Sequence, residues 1–343
     1  MMDITSIKIS KVVNCLLLLI IISSLLLTTA CQQQSDEELG DPVVTAEPNY
    51  TYANLNEHLS ELKENYDNLA ITTFGKSIYE NDLYVLTLGE GDKNVGVVGG
   101  IHGRENITSL LTLKLYEDYL REYQEGNSIG EYELEQSLSE VTFYFIPMLN
   151  PDGVEIAIDG IDGYENREFF IEANDDQKNF SRWKANGRGV DLNSQFKADW
   201  LEVDSEPAPY YQNYKGTSPE SEPESRALAE LTRENSFEAV ISFHHSGEVI
   251  YWYYQQPEEQ KERDYQLAQK ISEINNYDLI SPDESDVPAA GYKDWFIKKF
   301  NKPGFTIEIG TQVQKEEGPL PADNLNKYFE ENREVLLAIA EEV

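Results

Sequence analysis

The stretch Val95-Gly96-Val97-Val98-Gly99-Gly100-Ile101-His102-Gly103-Arg104-Glu105 decides the fold. Val95–Gly99 is continuously small or apolar, the pattern of a strand buried on both faces of a sheet rather than one alternating between core and solvent. It runs through paired glycines into a turn bearing His102 and Glu105, and helical periodicity follows over Thr108–Tyr123. Outward from there, strand-like runs occur at Leu83–Leu88, Val141–Leu149, Ala239–Phe243, Val249–Tyr254 and Gly304–Ile309. Helical spacing occurs through Leu55, Leu59, Leu62 and Tyr66, and over Glu222–Glu234, Gln266–Asn275, Tyr292–Phe300 and Leu325–Ala340. Strands alternating with helices predict a single α/β domain, a mixed and mostly parallel sheet flanked by helices on both faces. In open sheets of this kind the working groups collect beyond the carboxyl ends of the strands.

The first thirty of the 343 residues stand apart. Lys8 and Lys11 precede the apolar run Val12–Leu27, which ends in Thr28-Thr29-Ala30-Cys31. A basic start, an apolar middle and a small-residue end describe an export signal. Leu27-Thr28-Thr29-Ala30-Cys31 resembles a bacterial lipobox, whose cysteine becomes the lipidated first residue. Residues 1–30 are therefore expected to be a lipoprotein signal peptide, 31–49 a polar flexible tether, and 50–343 the folded domain. The protein is expected outside the cytoplasm, held at the membrane by lipid on Cys31. Cys15 and Cys31 are the only cysteines, so the domain has no internal disulfide and no cysteine for a metal or a nucleophile. The net charge of −36 repels nucleic acid and reads as a solvated acidic surface.

Chemistry concentrates at three strand ends. The chain has four histidines, His58, His102, His244 and His245. His58 falls on the N-terminal amphipathic helix and reads as a surface residue. His102 and Glu105, three apart on a turn, can aim an imidazole and a carboxylate at one ion. Ala239–Phe243 delivers His244 and His245 at its end, and neighbours on a strand face opposite ways, so one of the two joins a given site. Gly304–Ile309 places Glu308 among apolar neighbours, where a carboxylate is costly unless paired, near a metal or functional. Two histidines, one carboxylate and a water make a catalytic zinc site with an open fourth position.

The order His102-x-x-Glu105, His244, Glu308 resembles the zinc carboxypeptidase family. The resemblance runs from Phe74-Gly75-Lys76-Ser77 to Gly310 and takes in Asn150-Pro151-Asp152-Gly153, Gly189-Val190-Asp191-Leu192-Asn193 and Phe243-His244-His245-Ser246-Gly247. It implies one zinc ion held by His102, Glu105 and His244, with Asp191 bonded to the far nitrogen of the first histidine. It implies Glu308 as general base. Lys184, with Arg182 beside it, matches the cation that steadies the oxyanion. Arg104, Asn193 and Tyr277 match substrate-binding positions, and His245 matches a non-ligand neighbour. The chain departs from the family at Asn193-Ser194, where the family carries Asn-Arg. Serine cannot grip a carboxylate through two parallel bonds as that arginine does.

Trp183-Lys184-Ala185-Asn186, Ser221-Glu222-Pro223-Glu224, Gly291-Tyr292-Lys293-Asp294-Trp295-Phe296 and Pro303-Gly304-Phe305-Thr306 resemble a bacterial branch that cleaves γ-D-glutamyl-diamino acid bonds in peptidoglycan stem peptides. That implies a zinc metallopeptidase acting on wall peptides. A general metallocarboxypeptidase releasing C-terminal residues, and a non-catalytic peptide-binding lipoprotein, are the other readings.

Overall fold

The computed structural model describes residues 40–245, 247–285, 289–311 and 318–343. The expected signal peptide, Cys31, the start of the tether and Ser246 lie outside the described residues. Among the described residues no helix is long and apolar enough to cross a membrane.

The strands are β1 (Ala70–Lys76), β2 (Asp82–Leu88), β3 (Lys93–Val98), β4 (Ser128–Ile129), β5 (Tyr132–Glu133), β6 (Val141–Ile146), β7 (Ala239–His245), β8 (Val249–Tyr251), β9 (Asp278–Leu279) and β10 (Gly304–Ile309). β4 and β5 pair only with each other, and the rest form one sheet in the order β1-β2-β6-β3-β7-β10-β8-β9. The central four, β6, β3, β7 and β10, run parallel. β2, β1 and β8 join antiparallel toward the edges. All seven residues of β7 are buried, as a central parallel strand covered on both faces requires.

Among the described residues the helices of seven residues or more are α1 (Tyr52–Asn65), α2 (Asn106–Glu125), α3 (Leu134–Glu140), α4 (Pro151–Asp159), α5 (Arg167–Ala173), α6 (Pro223–Asn235), α7 (Glu258–Asn275), α8 (Tyr292–Phe300), α9 (Leu325–Asn332) and α10 (Val335–Glu342). On one face of the sheet Tyr116 and Tyr119 of α2 stand edge-on to Phe143 and Phe145 of β6, and α9 packs against α2 and α7. On the other face Tyr292, Trp295 and Phe296 of α8 share a core with Leu228 of α6 and Val240 of β7. Each strand hands alternate side chains to the two faces, so Val240, Ser242 and His244 belong to the face that α8 covers.

Strand order explains where a site can form. The sheet continues from β3 to β6 on one side and then from β6 to β7 on the other side of β3, so successive connections run in opposite directions and a crevice opens at the carboxyl ends.

Three expectations are corrected. His58 is 3% exposed, its ring stacked on Tyr50 and its Nδ1 3.1 Å from the Tyr50 hydroxyl. α1 turns this polar residue inward because Tyr50 offers a partner there. The end of the expected tether is docked. The amides of Val43 and Val44 donate to the buried carboxylate of Glu117 at 2.6 and 2.7 Å, and Val44 is wholly buried. The expected helix Leu325–Ala340 is two helices, since the Arg333 carbonyl at the break accepts the Tyr119 hydroxyl at 2.6 Å while its guanidinium clamps Asp118 and Glu122 of α2. β1 lacked a sequence signal because it is an edge strand with no fully buried position.

Candidate metal centre

The turn after β3 needs glycine. Gly100 takes φ +60°, and a Cβ there would sit 2.3 Å from the Ser109 hydroxyl oxygen, so any side chain would be strained and crowded. The Gly100 amide donates to the Thr108 hydroxyl at 2.9 Å, and that hydroxyl donates to the Glu105 carbonyl at 2.7 Å. One 3-10 turn, Gly103–Glu105, then folds the loop back. His102 Nδ1 lies 2.9 Å from Glu105 Oε1.

β7 supplies the third group. His244 Nδ1 lies 3.0 Å from Glu105 Oε2 and 3.2 Å from His102 Nδ1. One donor atom from each of the three residues falls within 4.8 Å of the others, and all three residues are buried. At zinc–nitrogen distances of about 2.0–2.1 Å, two tetrahedral donors stand about 3.3 Å apart. Two imidazole nitrogens at that spacing, both turned toward one carboxylate, fit a shared divalent ion. His245 faces the other way. Its Nε2 donates to the Arg104 carbonyl at 3.2 Å, its amide donates to Glu105 Oε2 at 3.3 Å, and burial lowers its pKa to about 4. It braces the ligand turn from behind.

Asp191 completes the support. Its Oδ1 meets His102 Nε2 at 3.1 Å and accepts the Asn193 amide at 3.0 Å, while its Oδ2 accepts the Asn213 amide at 3.1 Å. A carboxylate on the far nitrogen fixes the tautomer that leaves Nδ1 free for a metal. Burial opposes charge on His102, but the carboxylates of Glu105 and Asp191 outweigh it and raise its pKa to about 9. Burial likewise opposes ionisation of Glu105 and Asp191, yet His102 holds both below the usual carboxylate range. The cluster is built to favour positive charge at its centre.

Glu308 arrives from β10, register partner of His244, so both side chains leave the same face of adjacent parallel strands. Burial foremost, against the pull of His244, raises its pKa above the usual value. Lys184 Nζ stands 3.7 Å from Glu105 Oε1. Arg182 points elsewhere, donating to the Asn174 carbonyl at 2.9 Å and stacking 4.0 Å over the Tyr211 ring. Arg104 is 5% exposed, inside the ligand turn. Asn193 turns its Oδ1 to the Tyr292 amide at 3.1 Å, capping α8, and its NH2 has no partner among the described residues.

The structure does not bring Tyr277 to this group. Its hydroxyl donates to Glu331 of α9 at 2.7 Å and its ring is 2% exposed, which puts it on the sheet face opposite Glu308. Sequence reasoning missed Asn150. Its Nδ2 donates to the carbonyls of Ile101, Lys184 and Ala185 at 3.0, 3.3 and 3.2 Å, and its Oδ1 caps α4 through the Gly153 amide at 2.9 Å. One side chain thus ties the His102 turn to the Lys184 loop.

The sequence model of the zinc carboxypeptidase family matches residues 55–335. Gamma-D-glutamyl-L-diamino acid endopeptidase 1 of Lysinibacillus sphaericus is 33% identical over 299 residues, covering 86% of this chain and 73% of that protein. The uncharacterized protein YqgT of Bacillus subtilis (strain 168) is 28% identical over 306 residues, 85% of this chain and 77% of its own. The crystal structure of thrombin activatable fibrinolysis inhibitor shares the fold with a TM-score of 0.68 at 23% identity, over 90% of this chain and 82% of that one. A family match of that extent, over a chain whose three metal donors gather where the sheet opens, shows that the protein belongs to the zinc carboxypeptidase family and is a zinc metallopeptidase.

Proposed function

We propose that the protein hydrolyses the γ-D-glutamyl bond to a diamino acid in peptidoglycan stem peptides, with Glu308 as general base and Lys184 as the cation beside the developing oxyanion. The observation that carries this reading is Ser194, which stands beside Asn193 where the family places an arginine. Without that guanidinium the usual two-bond grip on a terminal carboxylate is missing, and a specialised peptide is favoured over any free C-terminus. The likeness to the Lysinibacillus endopeptidase, at 33% identity, supports the same bond.

His102, Glu105 and His244 would hold zinc, which supplies Lewis acidity that polarises a carbonyl and acidifies water. Glu308, whose pKa burial raises above the usual carboxylate value, takes the proton of the attacking water and returns it to the leaving amine. The Lys184 ammonium, 3.7 Å from Glu105 Oε1, meets negative charge growing on the carbonyl oxygen. Arg104 and the Asn193 amide line the approach to the peptide. An export signal over residues 1–30, with lipid on Cys31, would hold the enzyme beside its wall substrate.

Mass spectrometry of products from defined stem tri- and tetrapeptides tests the reading. Release of a fragment beginning with the diamino acid is the expected result, with ordinary C-terminal aromatic peptides turned over slowly. Preference for the latter would replace the wall-peptide reading with a general carboxypeptidase.

A further inference from the structure

Lys184 keeps its place without a hydrogen bond from its own ammonium. Among the described residues its Nζ makes none, and Glu105 Oε1 stands 3.7 Å away. An ammonium on a flexible four-carbon stem is a point charge with no planar fork to register it. Where the charge stands is therefore set by the backbone that carries it, and that backbone is tied on several sides. The Lys184 amide donates to the Tyr211 carbonyl at 2.8 Å, and the Lys184 carbonyl accepts the Gly103 amide at 3.0 Å. One residue earlier, the Trp183 carbonyl accepts the Arg104 amide at 2.8 Å. Two backbone bonds thus run from this loop to the turn that bears His102 and Glu105.

Asn150 closes the remaining side, and its residue type is informative. It is wholly buried, and its Oδ1 caps α4 through the Gly153 amide at 2.9 Å. Asp, Ser or Thr would serve that cap as well. Only a primary amide adds two N–H donors at its other end. Here they face the carbonyls of Ile101, Lys184 and Ala185 at 3.0, 3.3 and 3.2 Å. Ile101 precedes the ligand His102, so one planar group spans the backbone of a metal ligand and the backbone of the cation. Gly153 lets the segments close on each other: a Cβ there would lie 2.4 Å from the Ala185 carbonyl oxygen and 2.4 Å from Asn150 Nδ2.

We infer that Asn150 is a positioning residue for the reaction, acting through Lys184. Its amide sets how far the Lys184 ammonium stands from the ligand turn, and so from the carbonyl oxygen on which charge grows. Register of this kind is worth much in rate, since a misplacement of about 1 Å can cost on the order of 10²-fold. A lysine depends on it more than an arginine would, because the stem supplies no registration of its own.

This inference rests on the proposed role of Lys184, and a double-mutant cycle separates the two. Asn150→Ser and Asn150→Asp both keep an acceptor for the Gly153 amide, so α4 stays capped. Serine is too short to reach the three carbonyls, and aspartate sets an oxygen against them. The zinc-loaded full chain is assayed on a stem tripeptide and on a C-terminal aromatic peptide, and kcat is read on whichever is turned over. Both variants should lose roughly 10–100-fold in kcat with KM within about twofold, and metal analysis should still find one zinc per chain. Added to Lys184→Met, Asn150→Ser should cost less than about twofold more, because residues that act as a unit are not additive. The same cycle is read on the inhibition constant of a phosphinic peptide, which needs no turnover. Effects that multiply in the double variant overturn the inference, and so does a native kcat in both Asn150 variants. A native kcat for Lys184→Met beside slow Asn150 variants also overturns it, and withdraws Lys184 from the mechanism.

Discussion

At the residue scale, the proposed mechanism separates groups that hold the ion from groups that act on substrate. Glu308 touches none of the three ligands by hydrogen bond, so Glu308→Gln should keep zinc at one ion per chain while kcat falls by roughly 10²–10⁴, the usual worth of a positioned base. Metal analysis beside turnover checks both halves. Asp191→Asn acts differently. An amide can place its NH2 toward His102 Nε2 and unset the tautomer, so zinc affinity should weaken by about 10–100-fold, read by competition with a chromogenic chelator. The gathering of His102, Glu105 and His244 was legible in sequence because metal donors must be particular residue types, and these stand at strand ends. Tyr277 was not, because a one-residue change of register swaps the face a side chain meets.

At the element scale, β3, β7, β10 and the main helices were readable from apolar runs and spacing, whereas the joints between them were not. Asn150 binds three carbonyls from two segments distant from it, and no local pattern records such acceptors. A similar joint locks the start of α6 to the loop after β1. Glu224 Oε1 accepts the Ile78 amide at 3.1 Å, and Asn186 Nδ2 reaches both Glu222 and Glu224. Burial, aided by the neighbouring Asp152 and Glu222, raises the Glu224 pKa from 4.5 to about 8. Folded protein thus binds a proton that the unfolded chain releases near its ordinary value, and stability falls as pH rises from roughly 4.5 to 8. Glu224→Gln mimics the protonated form. Denaturant midpoints across that range should show a flatter pH profile for the variant and a stability gain above pH 8. Parallel profiles would mean that Glu224 stays ionised in the fold.

At the scale of the whole molecule, the three ligands are the point where distant parts of one sheet meet. His102 and His244 are 142 residues apart in sequence, and an ion between them does mechanically what a disulfide does in other proteins. It closes a long loop, and by the chain-entropy argument a clasp spanning more than 100 residues restricts the unfolded ensemble by about 5 kcal/mol. A ligand bound only by the folded state adds stability by mass action as well. Treatment with a strong chelator should therefore lower Tm by several degrees, with recovery on adding zinc. With Cys31 the single cysteine beyond the expected signal, the clasp is indifferent to redox conditions. Thiol reductants that loosen cystine-stapled proteins should leave this enzyme's melting temperature where it was, and scarcity of zinc becomes the stress to which its architecture is exposed.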